Sequence, residues 1–563
     1  MWENYLSYDK AFGLHNINFV GGVSQQESDY NSLGGSVTPP NNTIKSLSQG
    51  TNLILDANVN GVVNNGEVKR SYASQFARLA YNYASKYYLT GTVRRDGSSQ
   101  FAPGHQYGTF YSGAVNWNVK KESFLTNVNW LSGLKFRGSY GELGNQHGIG
   151  DFTYQSLYSA GASATASGNL GYAFGKIGGS NGIYQGGVAS IQPENDNIRW
   201  ETDYVTDIGM DASFLNGELS LTVDYFNRKS KDFLLNIAAS PQTGYNTLPS
   251  NVGSMVNKGW EFAVNYDHAV NSDLRIDLGL TLSFIKNKLT SLYSGTNAIS
   301  NFGGLGLTGD GWSEFTRTYI GQPVGEFYGY KAIGIIQSQT QLNALNSAAQ
   351  AKGNDFYYKA TTGLGDRLYA DVDGSGKITA DDRVALGNPQ PKFFGGFNLG
   401  ASYKSWDFNA YFYGVYGNKI LNFQESNLES FAQRGSVSIE NVSKQYYNNY
   451  WTPTRPSNRY AAVHYDDTDY GNLLPSSAWV ENGSFLKLKT LTVGYSLPSD
   501  LVKKLTLTKI RVYLSSQNLF TITKYTGLDP EIGAQNANPT QNGVDNGTYP
   551  SSRFYTIGLN VVF

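Results

Sequence analysis

Segments that alternate apolar and polar residues recur along this chain of 563 residues, and the links between them alternate between short and long. In Leu274 to Phe284 every second residue is apolar, and Arg, Asp, Gly, Thr and Ser occupy the positions between. Such a segment forms a strand with one oily and one polar face. Short links alternating with long ones are typical of an up-and-down barrel, with tight turns at one rim and large loops at the other.

The pattern predicts about fifteen strands, near residues 2–12, 15–24, 71–83, 87–96, 108–119, 134–143, 200–214, 217–229, 259–269, 273–287, 392–404, 407–417, 484–497, 509–522 and 552–563. The long links are 25–70, 144–199, 230–258, 288–391, 418–483 and 523–551. Links 120–133 and 498–508 look like short links enlarged by single helical turns, and 97–107 is intermediate. Compact soluble domains seldom carry several links longer than about 15 residues, so these lengths favour the barrel over a soluble sandwich.

The last eleven residues, Arg553 to Phe563, carry the same signal. Tyr555, Ile557, Leu559, Val561 and Phe563 share one oily face, and the other face is mostly small or polar. A chain that ends on an aromatic residue in such a strand resembles the closing strand of an outer-membrane barrel. Phe563 is therefore the predicted barrel-assembly signal, and the alternative is an ordinary edge strand of a soluble sheet.

Composition favours the same class of protein. Charged residues make up only 15% of the chain, whereas a quarter is usual, and aromatic residues reach 14% with 64 glycines. These values fit strands that alternate between lipid and water, although a soluble all-β sandwich or propeller shares part of the profile. A net charge of -1 gives no general attraction to nucleic acid, and the absence of cysteine excludes disulfides and thiolate metal sites.

Strand direction follows from the link lengths. If the C-terminus is periplasmic, every odd-numbered strand runs inward, and the first strand begins outside the cell. A complete single-chain barrel has an even number of strands and a periplasmic start. The sequence therefore predicts that an N-terminal part of the barrel is missing, and residues 1–10 have no signal-peptide pattern.

Four blocks of this sequence resemble the SusC/RagA family of TonB-linked outer-membrane transporters. They occur in the family's order and extend from Val93 to Phe563. The blocks are Val93–Phe101 followed by 117–125, Leu134–Asn145, Asp371–Phe393, and 492–498 running into 511–520 and 527–530.

This resemblance implies a 22-stranded barrel that holds an N-terminal plug and is powered through TonB. Residues 1–563 are then a partial TonB-dependent receptor barrel: all-β, transmembrane, antiparallel and up-and-down, with long extracellular loops. The implied location is the outer membrane of a Bacteroidota-like Gram-negative cell. The implied partners are outer-membrane lipid, the barrel assembly machinery, a SusD-like surface lipoprotein that helps capture oligosaccharides or peptides, and TonB–ExbB–ExbD through the missing part. No part of this sequence resembles a plug or a TonB-contacting box.

The sharpest chemical motif lies within the long link 288–391. Residues 371–382 fit the EF-hand spacing of 1, 3, 5, 7, 9 and 12, with Gly376 at the sharp turn. The predicted calcium ligands are Asp371, Asp373, Ser375, Lys377 through its carbonyl, Thr379 and Asp382. The predicted ion would be structural. At position 12 this loop has Asp382 where the EF-hand pattern has Glu, and the shorter side chain weakens the case for tight binding. The alternative is a polar Asp-Gly turn held by its own hydrogen bonds.

Weak candidates for ligand contact are Tyr411, Tyr413, Tyr450 and Trp451, because planar rings stack on sugars. In a barrel, tyrosine more commonly packs against other side chains or lies in the aromatic belts at the membrane interfaces. No acid, base and nucleophile converge in the sequence, so an enzyme is not predicted. The predicted function is TonB-dependent nutrient uptake, and the alternative is a surface barrel or soluble β-rich protein that binds ligands without energised transport.

Overall fold

The computed structural model describes residues 1–35, 63–146, 148, 150–151, 153–160, 173–174, 185–186, 188–245, 247–293, 296–302, 314–429, 441–464, 470–504, 506–534 and 538–563. Fifteen strands form one antiparallel sheet in which the strands follow one another in chain order. They are β1 (Trp2–Phe12), β2 (His15–Gly35), β3 (Val63–Tyr83), β4 (Tyr87–Ser98), β5 (Tyr107–Asn118), β6 (Leu131–Asn145), β7 (Glu201–Phe214), β8 (Leu219–Ala238), β9 (Thr247–Ala269), β10 (Leu274–Ser291), β11 (Phe393–Tyr403), β12 (Trp406–Tyr416), β13 (Phe485–Ser496), β14 (Lys509–Thr523) and β15 (Phe554–Val562). The predicted all-β fold and strand order are confirmed.

Several strands are longer at the long-link end than the sequence predicts. Strand β2 continues to Gly35 and β3 begins at Val63, because their backbone pairing extends to the pair Gly35 and Val63. Strands β8 and β9 are likewise longer, ending at Ala238 and beginning at Thr247. Apolar alternation marks only the part of a strand that has one oily face, whereas the hydrogen-bond ladder continues as long as two strands stay side by side. The predicted strands were therefore too short at these ends.

The remaining elements lie between the sheet strands. The helices are α1 (Gln339–Gln350), α2 (Phe423–Leu428), α3 (Lys444–Asn449) and α4 (Ser499–Lys504), with 3₁₀ turns at Val119–Lys121, Ser123–Leu125, Leu215–Gly217, Pro241–Thr243, Ala380–Asp382, Ser477–Trp479 and Pro539–Gln541. Short strands are Leu157–Ala160, Ala173–Phe174, Gln185–Gly186, Val188–Gln192, Ala298–Phe302, Glu314–Tyr319, Glu326–Tyr330, Ala332–Ile335, Arg367–Tyr369, Arg383–Gly387, Lys419–Asn422, Val480–Asn482 and Val544–Asp545. Among the described residues no helix is both long and apolar enough to cross a membrane.

The described chain divides into two compact units. The first comprises residues 1–117, 139–205 and 230–253. It holds strands β1 to β5, and a small core of Phe101 and Ile198 with Trp200 and Leu234 packed against it. Arg70 of β3 donates to both carboxylate oxygens of Asp151, at 2.8 and 2.9 Å. This bidentate pair ties a strand to the link that follows β6.

The second unit comprises residues 118–138, 206–229 and 254–563. The described parts of its long links fold into packed structure. One core contains Tyr330, Ile336, Leu342, Tyr357, Tyr369 and Ile378, and another contains Phe315, Phe327, Leu421, Phe423, Trp479 and Val544. The three links that follow β10, β12 and β14 all contribute to the second core. Ile378, which lies within the acidic loop 371–382, belongs to the first core, so packed structure holds the loop in place.

We call the apolar face of the sheet strands the outward face and the opposite, polar face the inward face. On the outward face of the second unit, aromatic side chains lie at two levels along the strands. Near the tight turns, Trp406 and Tyr495 lie 4.8 Å apart between ring centroids, and Tyr403 is exposed beside them. Near the long links, Phe393 contacts Phe284 and Tyr416, with centroid distances of 5.6 and 5.1 Å. Two such belts with an apolar band between them are the pattern of a transmembrane barrel wall.

Two arginines on the inward face reach across a glycine to a carboxylate two strands away. Arg137 of β6 crosses Gly209 of β7 to bind Asp224 of β8, with Nη2 and Oδ1 2.9 Å apart. Arg511 of β14 crosses Gly494 of β13 to Asp407 of β12, with Nε and Oδ1 2.8 Å apart. A Cβ on either glycine would collide with the ion pair that passes over it. Glycine at these positions therefore leaves room for an ion pair that spans three strands.

Gly209→Val should lower the thermal stability of the sheet, because the new side chain displaces Arg137 from Asp224. Loss of a charged hydrogen bond of this kind costs about 1–3 kcal/mol. The matched control is Gly279→Val, since a Cβ there meets only ordinary contacts at 3.4 and 3.5 Å. The measurement is the temperature at which the folded band converts to the unfolded band on a heat-modifiability gel. Equal midpoints for the two variants would contradict the bracing role.

Candidate functional site

The acidic loop 371–382 begins after the strand Arg367–Tyr369 and ends in the 3₁₀ turn Ala380–Asp382. Thr379 and Asp382 form a reciprocal capping box at that turn. Gly376 has φ +87°, a conformation that favours glycine, so it occupies the sharp turn that the EF-hand spacing requires. The backbone of the loop therefore matches the predicted motif at its most restrictive position.

Three carboxylates of the loop converge. Asp371, Asp373 and Asp382 each bring one oxygen within 4.8 Å of the others. Asp382 is wholly buried, and its two oxygens accept from the backbone N–H groups of Val372 and Thr379, both at 2.7 Å. Asp371 accepts from the Gly376 N–H through Oδ2, whereas its buried Oδ1 has no hydrogen-bond partner within the described residues. That oxygen is available to a cation.

The other predicted ligands take part in local hydrogen bonds. The Ser375 hydroxyl donates to the Lys377 carbonyl at 3.0 Å, and Thr379 accepts from the Asp381 N–H. Hydrogen bonds from the Ser375 backbone and side chain hold the pKa of Asp373 below its usual range. These bonds are also what a self-contained Asp-Gly turn would make. The geometry is compatible with both interpretations of the loop, and the calcium site stays a prediction.

A cation of the protein already contacts the loop, and no local sequence pattern predicts this contact. The Lys352 ammonium, just after α1, donates to the Gly374 carbonyl at 2.5 Å and lies 3.9 Å from Asp371 Oδ2. Asn354 donates to the Ser375 carbonyl at 2.9 Å. A divalent ion would have to compete with this ammonium for Asp371.

The four aromatic candidates fall into two groups. Trp451 is buried, donates through Nε1 to Gln337 at 3.0 Å and packs with Ile335 and Ala461, so it belongs to a core. The Tyr450 ring is covered by the Arg455 guanidinium at 4.6 Å. Trp451 is therefore closed to a ligand by its core packing, and one face of the Tyr450 ring is occupied by Arg455. For Trp451 and Tyr450 the observed contacts favour packing over ligand contact.

Tyr411 and Tyr413 lie on the inward face of β12. Tyr411 is 39% exposed, and its ring lies against Gly396, where a Cβ would come 2.5 Å from the hydroxyl. On the same face Asn409 donates to Asn398 and Asn398 donates to Asp277, both at 2.9 Å. The Lys489 ammonium stands 5.8 Å from the Tyr413 ring centroid. Tyr411 with these amides forms a polar strip, which we call the inner strip (Asp277, Asn398, Asn409, Tyr411).

Two buried charge networks lie outside the sequence prediction. Lys487 is almost fully buried and binds Asp529 at 2.9 Å and also Glu531, while Lys489 binds Glu531 at 2.6 Å. Burial alone would raise the pKa of Asp529, but hydrogen bonds from Lys487 and Ser551 lower it to about 2. The network fixes the link after β14 to β13. Its partners are 42 and 44 positions apart in the chain, so no local pattern reveals them.

The second network lies at the end of α2. Glu429 lies between Arg367 and Arg459, with its carboxylate oxygens 3.4 and 3.6 Å from their Nη2 atoms. Burial raises the pKa of Glu429 to about 7, which the two arginines only partly offset. Because Glu429 and Arg367 are buried and paired, this group of charges holds the links together and is not exposed to a ligand.

The model of the family described as "TonB dependent receptor-like, beta-barrel" matches residues 2–380. The chain belongs to that family. Two relatives are the TonB-dependent receptor P3 of Formosa agariphila, 32% identical over 100% of this chain and 52% of its own length, and the TonB-dependent receptor SusC of Bacteroides thetaiotaomicron, 28% identical over 88% of this chain and 44% of its own. The chain thus spans about half the length of the curated relatives it matches.

A solved structure titled as the RagAB peptide transporter has the same fold. Its TM-score is 0.75 at 24% identity, and the match covers 100% of this chain and 55% of that one. The predicted resemblance to the SusC/RagA type and the predicted outer-membrane location are confirmed. The relatives named above are receptors and not enzymes, while the predicted lack of catalysis in this chain stays a prediction. The role of Phe563, whose side chain is exposed, also stays a prediction.

Proposed function

We propose that this chain forms the wall of a transporter that takes up an oligosaccharide across the outer membrane in a TonB-dependent manner. A SusD-like surface lipoprotein would capture the sugar at the long-link rim, and TonB–ExbB–ExbD would act through a part of the protein outside this chain. The observation that carries the proposal is the family match over residues 2–380. A peptide is the second candidate substrate, because the RagAB structure is titled a peptide transporter.

The inner strip supports a sugar over a peptide as the substrate. An exposed aromatic ring beside neutral amides suits a sugar, which offers an apolar ring face and many hydroxyls. The strip crosses the neighbouring strands β10, β11 and β12, and each of its side chains projects from the face opposite the apolar one.

The first experiment separates energised uptake from simple binding. Cells that express the native full-length protein are given a fluorescent oligosaccharide mixture or a fluorescent peptide mixture, and internal and surface-bound label are measured with and without TonB. Energised sugar uptake predicts internal oligosaccharide only when TonB is present. Surface binding with no TonB-dependent internal label would support the alternative, a barrel that binds ligands without transport.

Tyr411→Ala should reduce oligosaccharide uptake at subsaturating concentration by about twofold to twelvefold, the effect of about 0.5–1.5 kcal/mol of aromatic stacking. Tyr411→Phe keeps the ring and should retain uptake. Tyr403→Ala removes an exposed tyrosine from the outward face of the neighbouring strand and serves as the matched control. Unchanged sugar uptake in Tyr411→Ala, with a fall in peptide uptake instead, would assign the strip to peptides.

We also propose that the loop 371–382 holds a structural calcium ion. The three converging carboxylates, the EF-hand spacing and the unpartnered buried Oδ1 of Asp371 support it. The ion would brace the folded links and leave transport chemistry untouched.

Calcium added to the chelator-treated protein should protect the region around residues 339–392 from proteolysis and heat. Stabilisation is about 2.7 kcal/mol when calcium is present at 100 times its Kd. Asp371→Asn should lose the effect, whereas Asp381→Asn, which changes an exposed carboxylate outside the cluster, should keep it. Lys352→Met should strengthen calcium binding, because it removes the competing ammonium. No calcium-dependent protection of the unaltered protein would leave the loop as a self-contained Asp-Gly turn.

A further inference from the structure

A groove runs across the apolar face of strands β10 to β14, at their long-link ends. Its floor is a pair of glycines, Gly395 of β11 and Gly414 of β12, which lie directly opposite each other. Leu282 lies opposite Gly395, and Leu486 lies opposite Gly414. Because directly opposite residues of neighbouring strands project to the same side, these residues share one face. Two missing side chains in the middle of that face leave a depression.

Aromatic rings form the two walls of the groove. On the long-link side Phe393 stacks on Tyr416, with centroids 5.1 Å apart. On the other side Phe397 and Phe412 lie 6.3 Å apart. The volume of this open groove is about 630 Å³, which is the size of a specific small-molecule site.

The groove opens on the side of the sheet that faces lipid. Leu486 and Ile522, which are opposite each other, are 42% and 62% exposed at its edge. The polar inner strip lies on the reverse face of the same strands. In a protein of the outer membrane, exposed apolar side chains between two aromatic belts contact hydrocarbon. The occupant of the groove therefore comes from the lipid phase.

One end of the groove is polar and carries a cation. Asn482, Ser484, Thr523 and Lys524 line it where β13 begins and β14 ends. The Ser484 and Thr523 hydroxyls are engaged with Asn482 and with the Ser484 carbonyl. Lys524 is exposed, and within the described residues no carboxylate pairs with it. Lys524 directly follows β14, where a long link leaves the sheet. We assign this end of the strands to the headgroup level of the outer leaflet, because the large loops of an outer-membrane barrel are extracellular.

We propose that this groove holds one acyl chain of a phosphorylated outer-leaflet glycolipid, with a phosphate of that lipid at Lys524. An acyl chain needs no hydrogen-bond partner, and the glycine floor of the groove offers none, because the strand backbones there are already paired with their neighbours. A peptide strand would lack backbone partners there. The proposal depends on the outer-membrane location and not on the transported substrate.

The test measures lipid retained by the native full-length protein extracted from outer membranes in a mild detergent. Native mass spectrometry after addition of purified lipid A, or of phosphatidylcholine with similar chains, reports the bound copies. One retained copy of lipid A and none of phosphatidylcholine is the expected result. Equal retention of both lipids would show an unspecific lipid annulus and overturn the proposal.

Gly414→Leu should remove the retained lipid, because it fills the groove from the floor. Gly414→Ala adds only a Cβ, which meets Leu486 and the Phe485 carbonyl at 3.3 Å, and should retain it. Lys524→Glu should reduce occupancy by about fivefold or more, and Lys524→Arg should restore it. Full retention in both Gly414→Leu and Lys524→Glu would contradict the site. If Gly414→Leu fails to fold, Lys524→Glu and Lys524→Arg decide the result.

Discussion

The pairing of backbone groups within hydrocarbon is the constraint on which the rest of this structure depends. A strand that crosses lipid cannot leave its N–H and C=O groups unpaired, since each would cost several kcal/mol. Within the described residues, β2 to β14 meet this constraint by bonding to a neighbour on each side in chain order, and β1 and β15 are each bonded on one side. Side chains are then free to specialise by face, with leucine and aromatic rings outward and amides and ion pairs inward. Tight turns such as Gly13-Leu14, between the pair Phe12 and His15, keep consecutive strands in register.

The links add a second level of organisation that depends on buried charge. Lys487 with Asp529, and Glu429 with Arg367, lie inside folded links where neither partner is exposed to much water. Removing one member of such a pair leaves the other uncompensated, so these networks specify one arrangement of the links. The acidic loop 371–382 is built on this base, close to Lys352.

Much of the fold was predictable from the sequence, because period-two alternation and link length are local signals. All fifteen sheet strands were located, and the acidic loop was recognised from its spacing. The extensions of β2 and β3 were missed, since a strand that leaves the membrane loses its apolar alternation while it keeps its pairing. Lys352, the inner strip and the glycine-floored groove were also missed. Each depends on residues brought together across neighbouring strands or from distant links, and one sequence contains no signal for such contacts.

Chemical labelling of single cysteines tests the central claim most directly, since the chain has no native cysteine. Thr454→Cys in a long link, Ser272→Cys in a tight turn and Leu280→Cys on the oily face are exposed to a membrane-impermeant maleimide, first in intact cells and then in opened cells. Thr454→Cys should react in intact cells, Ser272→Cys only in opened cells, and Leu280→Cys in neither. Labelling of Ser272→Cys in intact cells, or ready labelling of Leu280→Cys, would contradict a membrane-spanning sheet with outward apolar residues and external long links.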